Sequence, residues 1–337
     1  MNYFQVAAGD GGRDYSEVFL KYGVMLIGPG DPGSYFEKEE YYISIYKSNV
    51  ITVFTKEVKN NDIVVLKRPT GNLWEVIAVG IVKGDYKYLS VFDDVEGWDL
   101  QHCRYVEWRT SQNQVKIKGL TRGTFKAITQ PSVKKVIDDV FRSATPKSSE
   151  PIPKSSEKLR DEDLIEILID YGLRIKDAED FTQTIRSIRR LVKWYYENGV
   201  DVSEHETRTF LIIPLLLTLG WTEQKLKIEW NSIDVAFFEK PYTKANKDSN
   251  GCIIILESKR LWAGLSYVDS QAAIYASRYP KCLRMIVTDG CCYKLFRREG
   301  VAWNYSAYLN ILKPKRKHPY DPKVGGAPDV FLSLMVG

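Results

Sequence analysis

The chain is 337 residues long, 44% hydrophobic and 27% charged, with a net charge of +5; this is ordinary globular composition, long enough for two domains. The mild basic excess permits a phosphate-rich partner without requiring one. Five cysteines without a Cys-x-x-Cys pair and three scattered histidines argue against a zinc site, and no apolar run approaches the ~20 residues that span a bilayer. Residues 1–5 also lack the basic start and apolar core of a signal peptide, so a cytoplasmic protein with reduced thiols and no membrane association is expected.

In chain order, short β-rich runs come first, at 4–7, 24–27, 51–54, 63–67, 74–82, 88–91 and 104–108, separated by Gly, Asp, Asn and Pro. Seven short strands predict a compact barrel, with helices at 14–22 and 132–141. The segment Gly28-Pro-Gly-Asp-Pro-Gly33 fits Gly-x-Gly-x-x-Gly after a strand. Pro32 and the lack of a following βαβ unit argue against a dinucleotide site, and a mobile turn at a pocket rim is expected. Residues 143–160 hold Lys-Ser-Ser-Glu twice and three prolines, which reads as a solvated linker.

Beyond it, apolar residues at helical spacing predict helices at 164–171, 185–196, 210–219 and 267–278. Strands are predicted at 228–238, 253–257, 285–288 and 292–297, which makes an α/β arrangement on a mixed sheet. The run Ile-Ile-Ile-Leu-Glu-Ser-Lys at 253–259 carries the most chemistry. Residues two apart on a strand share a face, so Glu257 and Lys259 emerge together. Asp234 heads another apolar run 23 positions earlier (257 minus 234). Two carboxylates can hold a divalent cation, and a lysine beside them can orient a water.

Around these residues stand Glu204 in Ser-Glu-His-Glu-Thr-Arg, the run 210–221 ending Leu-Gly-Trp, Gln271-Ala-Ala-Ile-Tyr275, and Thr288-Asp-Gly290. In this order the set resembles the PD-(D/E)xK nuclease superfamily, most closely the nuclease part of type I restriction subunits. The resemblance implies that Asp234 and Glu257 bind Mg²⁺ or Mn²⁺, with the Ser258 carbonyl as a third ligand. It implies that Lys259 positions the attacking water and that Glu204 completes the metal shell or holds one of its waters. Gln271 and Tyr275, four apart on a helix, would border the site and touch nucleic acid. Glu206 is read as a surface residue. The motor of type I subunits has no counterpart here, because no Gly-x-x-x-x-Gly-Lys-Ser/Thr loop occurs.

The segments 3–13, 23–28, 61–68, 78–82 and 97–108 resemble PUA-like barrels of the EVE type, found fused to modification-dependent restriction nucleases. Such a barrel implies an aromatic cage for a base turned out of the duplex. Trp98, Asp99, Tyr35 and Phe36 are the cage candidates, with Arg13, Lys67 and Arg68 as phosphate contacts. The expected organisation is therefore a PUA-like reader at 1–130, a helix and flexible linker at 131–160, and an α/β PD-(D/E)xK domain at 161–337. The expected activity is modification-dependent DNA restriction, with base-modified duplex as partner and a homodimer to cut both strands. The alternatives are a nuclease acting on RNA or unmodified DNA, and a nuclease or binding subunit of a larger anti-phage complex with a motor partner.

Overall fold

A computed structural model describes residues 1–44, 50–70, 73–111, 115–243 and 251–336. The chain divides into two units, Met1–Ser155 and Ser156–Gly337.

The first unit is built on an eight-stranded sheet that curls into a half-barrel. Its strands are β1 (Tyr3–Ala7), β2 (Val24–Ile27), β3 (Ile63–Thr70), β4 (Leu73–Tyr88), β5 (His102–Thr110), β6 (Val115–Ile117), β7 (Phe125–Ala127) and β8 (Thr145–Pro146). The main path runs β8-β5-β4-β3-β1-β7, with β2 on β5 and β6 on β4. Within this sheet β1 and β3 run parallel, and the other pairs are antiparallel. The 16-residue β4 loses register on β5 between Lys83 and Lys87, the kind of bulge that bends and twists a strand. Helix α1 (Ser16–Tyr22) packs beside β2, and helix α2 (Pro131–Ser143) lays Val133, Ile137 and Val140 on a core of Ile63, Val65, Val76 and Val79.

Three expectations change here. The run at 51–54 is helical, at Val50–Thr52 and Val53–Glu57, because Ile51, Phe54 and Thr55 are buried at helical spacing. The strand expected at 88–91 ends at Tyr88 and gives way to a 3₁₀ turn, Ser90–Phe92. The segment 143–160 is less solvated than its prolines suggest. Thr145 and Pro146 pair with Thr110 and Arg109, and the amides of Lys147 and Glu150 donate to the Trp108 and Lys21 carbonyls. Farther on, within the second unit, Leu159 N donates to Pro314 O and Arg316 N to Glu157 O.

The second unit carries a six-stranded mixed sheet whose strands lie side by side in chain order. They are β9 (Leu226–Trp230), β10 (Ile233–Phe238), β11 (Cys252–Ser258), β12 (Arg284–Thr288), β13 (Cys292–Glu299) and β14 (Ala302–Asn310). Only the β11/β12 step in it is parallel. Parallel neighbours need a crossover, and helix α7 (Val268–Ala276) supplies it, packed on both strands. Helices α3 (Asp161–Asp170), α4 (Ile175–Glu197), α5 (Glu204–Thr207), α6 (Ile213–Thr218) and α8 (Ala327–Leu334) complete the unit. Phe181, Ile185, Ile188 and Val192 of α4 join Leu211, Leu215, Ile254, Leu256 and Phe331 in one core. Strand β14 and helix α8 were not foreseen. Between α5 and α6 the helix widens into a π-turn, Arg208–Ile212. Among the described residues no helix is long and apolar enough to cross a membrane.

Candidate active site

The edge of the second sheet gathers charge where β9, β10 and β11 meet helix α5. Val235 pairs with Leu256 in the β10/β11 ladder, so the next antiparallel step sets Asp234 opposite Glu257. Asp234 Oδ2 accepts from the backbone N and the Oγ of Ser258 at 2.7 and 2.9 Å. Its Oδ1 lies 3.1 Å from Arg208 Nη2.

Glu257 is 4% exposed, and its Oε1 has no hydrogen-bond partner among the described residues. Burial pushes its pKa up to about 7, and the neighbouring Asp234 charge adds to the rise while Lys259 opposes it. Lys259 is anchored by its own amide, which donates to Thr288 O at 2.8 Å. Its ammonium donates to Ser258 O at 2.8 Å and lies 3.6 Å from Glu204 Oε2.

Glu204 opens helix α5. Ser203 caps that helix in a reciprocal box with Glu206, whose carboxylate accepts the Ser203 amide at 2.9 Å. Glu206 is therefore a capping residue, which leaves Glu204 to face the sheet edge. One turn later stands Arg208, which the sequence reading did not single out. Its side chain is 7% exposed and lies 3.6 Å from Glu204, 3.0 Å from Glu229 and 3.1 Å from Asp234, while its Nε donates to Ser258 Oγ at 3.3 Å.

Glu229 was also missed, and a hairpin places it. Ile228 pairs with Val235 and Trp230 with Ile233, so Glu229 falls opposite Asp234. The turn residues Asn231 and Ser232 have φ of 50° and 68°, as a two-residue primed turn requires, and Glu229 itself has φ of 53°. The helix bearing Arg208 is fixed to the strand ends from two sides. Thr207 Oγ1 accepts the Leu261 amide at 3.0 Å, and Gly290, at φ of 80°, brings the 288–290 turn so close that a Cβ there would lie 2.9 Å from Leu211. Asp289 is spent within that turn, accepting from the Cys291 and Cys292 amides.

Gln271 and Tyr275 share a face of α7 as expected from their spacing. Gln271 Nε2 donates to Tyr275 Oη at 3.0 Å and the Arg278 guanidinium lies over the Tyr275 ring; neither residue bonds to the carboxylates. Among the described residues no group of three or more His, Cys, Asp and Glu side chains converges on one cation position. The groups there that could take a hard divalent ion are the Asp234/Glu257 pair with the unpartnered Glu257 oxygen, and the Ser258 carbonyl, which accepts from Lys259 Nζ.

In the first unit the four cage candidates fall into two clusters. Tyr35 is fully buried, its hydroxyl 3.3 Å from Thr52 Oγ1 and its ring against Phe36 and Tyr42. Phe36 is 62% exposed and meets Tyr86. Trp98 instead stacks under the Arg13 guanidinium, at 4.6 Å, with Tyr15 at its edge. Asp99 accepts from the Gly30 and Asp31 amides at 3.0 and 2.9 Å.

The expected phosphate contacts are engaged internally. Arg13 bonds Asp10 at 3.0 Å, and Arg68 spans Asp14 and Glu75 at 3.1 and 3.0 Å. Lys67 is wholly buried: a bulge between Leu66 and Lys67 accompanies an ammonium lying 3.5 Å from the Trp74 ring centre and donating to Thr121 O. Burial draws its pKa down to about 8. The turn at 28–33 is also pinned rather than mobile. Tyr88 Oη donates to Gly30 O at 2.9 Å, Tyr42 Oη to Gly33 O at 2.7 Å, and His102 Nε2 lies 2.9 Å from Pro29 O.

A family described as a domain of unknown function (DUF8426) matches residues 8–136, within the first unit. No curated protein and no solved structure matches the chain.

Proposed function

We propose that the second unit is a PD-(D/E)xK nuclease core that hydrolyses nucleic-acid phosphodiesters with Mg²⁺ or Mn²⁺, and that the first unit is a PUA-like reader selecting base-modified DNA. The observation that carries the catalytic half is the pairing of half-buried Asp234 with buried Glu257, which has an unpartnered carboxylate oxygen and Lys259 beside it. Asp234, Glu257 and the Ser258 carbonyl would hold the cation, which when bound supplies Lewis-acid polarisation of the phosphate.

The chain's own side chains do the rest. Lys259, tied to Ser258 O and Glu204, holds a positive charge where an attacking water and the phosphate charge must be managed. Glu204, 3.6 Å from that ammonium, offers an acceptor for a water proton. The exposed Gln271 on α7 borders the approach to nucleic acid. One such site cuts one strand, so a double-strand break calls for two copies of the chain or a partner carrying a motor.

The test is cleavage by the purified full chain with Mg²⁺ or Mn²⁺ on DNA carrying 5-methylcytosine, 5-hydroxymethylcytosine or N6-methyladenine, beside plain DNA and RNA. Asp234→Ala and Lys259→Ala should each abolish cutting while binding to the preferred substrate survives. Full activity in Asp234→Ala overturns the catalytic assignment. Preference for RNA or plain DNA overturns the modified-base assignment alone.

A further inference from the structure

Arg208 is a resident cation at the spot where the proposed activity needs an added one. Ser258 takes one oxygen of Asp234 through two hydrogen bonds, and the guanidinium takes the other at 3.1 Å. A divalent ion that reaches Asp234 therefore competes with Arg208 for an oxygen. The same guanidinium already holds a second carboxylate through its other nitrogen, Nη1 donating to Glu229 Oε1 at 3.0 Å. That carboxylate is 69% exposed, lies opposite Asp234 in the hairpin register, and has a left-handed φ of 53°, a conformation that glutamate adopts rarely.

The charges of the cluster agree with this division. Four carboxylates, Glu204, Glu229, Asp234 and Glu257, face two cations, Arg208 and Lys259, which leaves a deficit of two positive charges when all are ionised. Losing Arg208 would raise that deficit to three.

We propose that Arg208 is the built-in counter-ion of the site and sets its cation affinity. It pairs with Asp234, Glu204 and Glu229 in the cation-free chain, and it lets go of Asp234 while keeping Glu229 when a divalent ion takes Asp234. Arg208 is in this sense a positioning residue, acting through Asp234 rather than on a reacting atom. The inference rests on the nuclease reading only for the place of the cation beside Asp234 and Glu257, and on no reaction.

The experiment titrates Mn²⁺ alone into the full chain by calorimetry, with thermal unfolding in EDTA and in Mn²⁺ as a second readout. Arg208→Met should bind Mn²⁺ about tenfold more tightly than the parent, because a competing charge a few ångströms away is gone. It should also melt earlier in EDTA and regain the difference in Mn²⁺. Glu229→Gln removes only the exposed carboxylate and leaves the fold intact; it should bind Mn²⁺ several-fold more weakly. Should Arg208→Met fail to fold, unchanged Mn²⁺ affinity in Glu229→Gln overturns the part given to Glu229 in retaining the guanidinium. Mn²⁺ binding by the parent with equal or weaker binding by Arg208→Met overturns the counter-ion role and leaves the nuclease reading standing. Absence of Mn²⁺ binding in the parent and in both variants overturns the role together with the cation reading.

Discussion

Both units bury ionisable side chains on their sheets, and they complete them differently. In the first unit Lys67 lies against Trp74 and Thr121 O, Arg68 spans Asp14 and Glu75, and His102 is held by Tyr86 and Pro29 O. In the second unit Arg208 and Lys259 leave Glu257 with a buried oxygen that nothing meets among the described residues. A buried cation matched within the chain holds a structure together, whereas a buried carboxylate oxygen without a partner can take a ligand. This contrast is why the chemistry is assigned to the second unit and why charge alone makes a poor guide to it.

The contrast is tested most strongly by pH, because burial has shifted two groups in opposite directions. Glu257 has a folded pKa of about 7, above its ordinary value of 4.5. Its contribution to stability is therefore full below the ordinary value and is lost as pH rises toward 7. Glu257→Gln should remove that loss, gaining up to about 3 kcal/mol over the parent at pH 8 and nothing at pH 4, as read by urea unfolding. Lys67, with a folded pKa of about 8 against 10.5, has the reverse sign: the folded state gains stability as pH rises between these values. Lys67→Met should abolish that alkaline gain, up to about 3 kcal/mol at pH 10.5. A flat profile in the parent across either window would dissolve the comparison for that group.

Smaller effects sharpen it. Gly290→Ala forces a Cβ against Leu211 at a positive φ, which should cost about 2 kcal/mol and weaken Mn²⁺ binding by shifting the helix that bears Glu204. Unchanged melting and binding would show that the 288–290 turn does not brace the site. Asp99→Ala should cost about 1 kcal/mol by freeing the Gly30 and Asp31 amides, and leave Mn²⁺ binding untouched.

The mixed sheet of the second unit was legible because its strands are long apolar runs, and Asp234 and Glu257 interrupt those runs at their ends. Arg208 was visible only as the fourth residue after Glu204, a helical pair that means little until both side chains are seen to face one sheet edge. Glu229 was hidden more deeply, since its position depends on left-handed turn residues, Asn231 and Ser232, of which neither is glycine. In the first unit, β-branched residues at 51–54 suggested a strand, and burial at helical spacing prevailed. Tyr35 and Phe36 are adjacent in the chain, yet one is fully buried and the other 62% exposed, a difference that composition cannot foretell.

The short strand Thr145–Pro146 has a consequence for how the first unit behaves among its own copies. It occupies the end of the main path of a curled sheet, beside β5, and places there a residue with no amide hydrogen. An open sheet edge is a template on which other chains can add strands and aggregate, and proline at an edge blocks such addition. A fragment cut at residue 130 would lose this guard together with helix α2. A fragment carried through residue 155 keeps both, and should stay soluble at concentrations where the shorter piece precipitates.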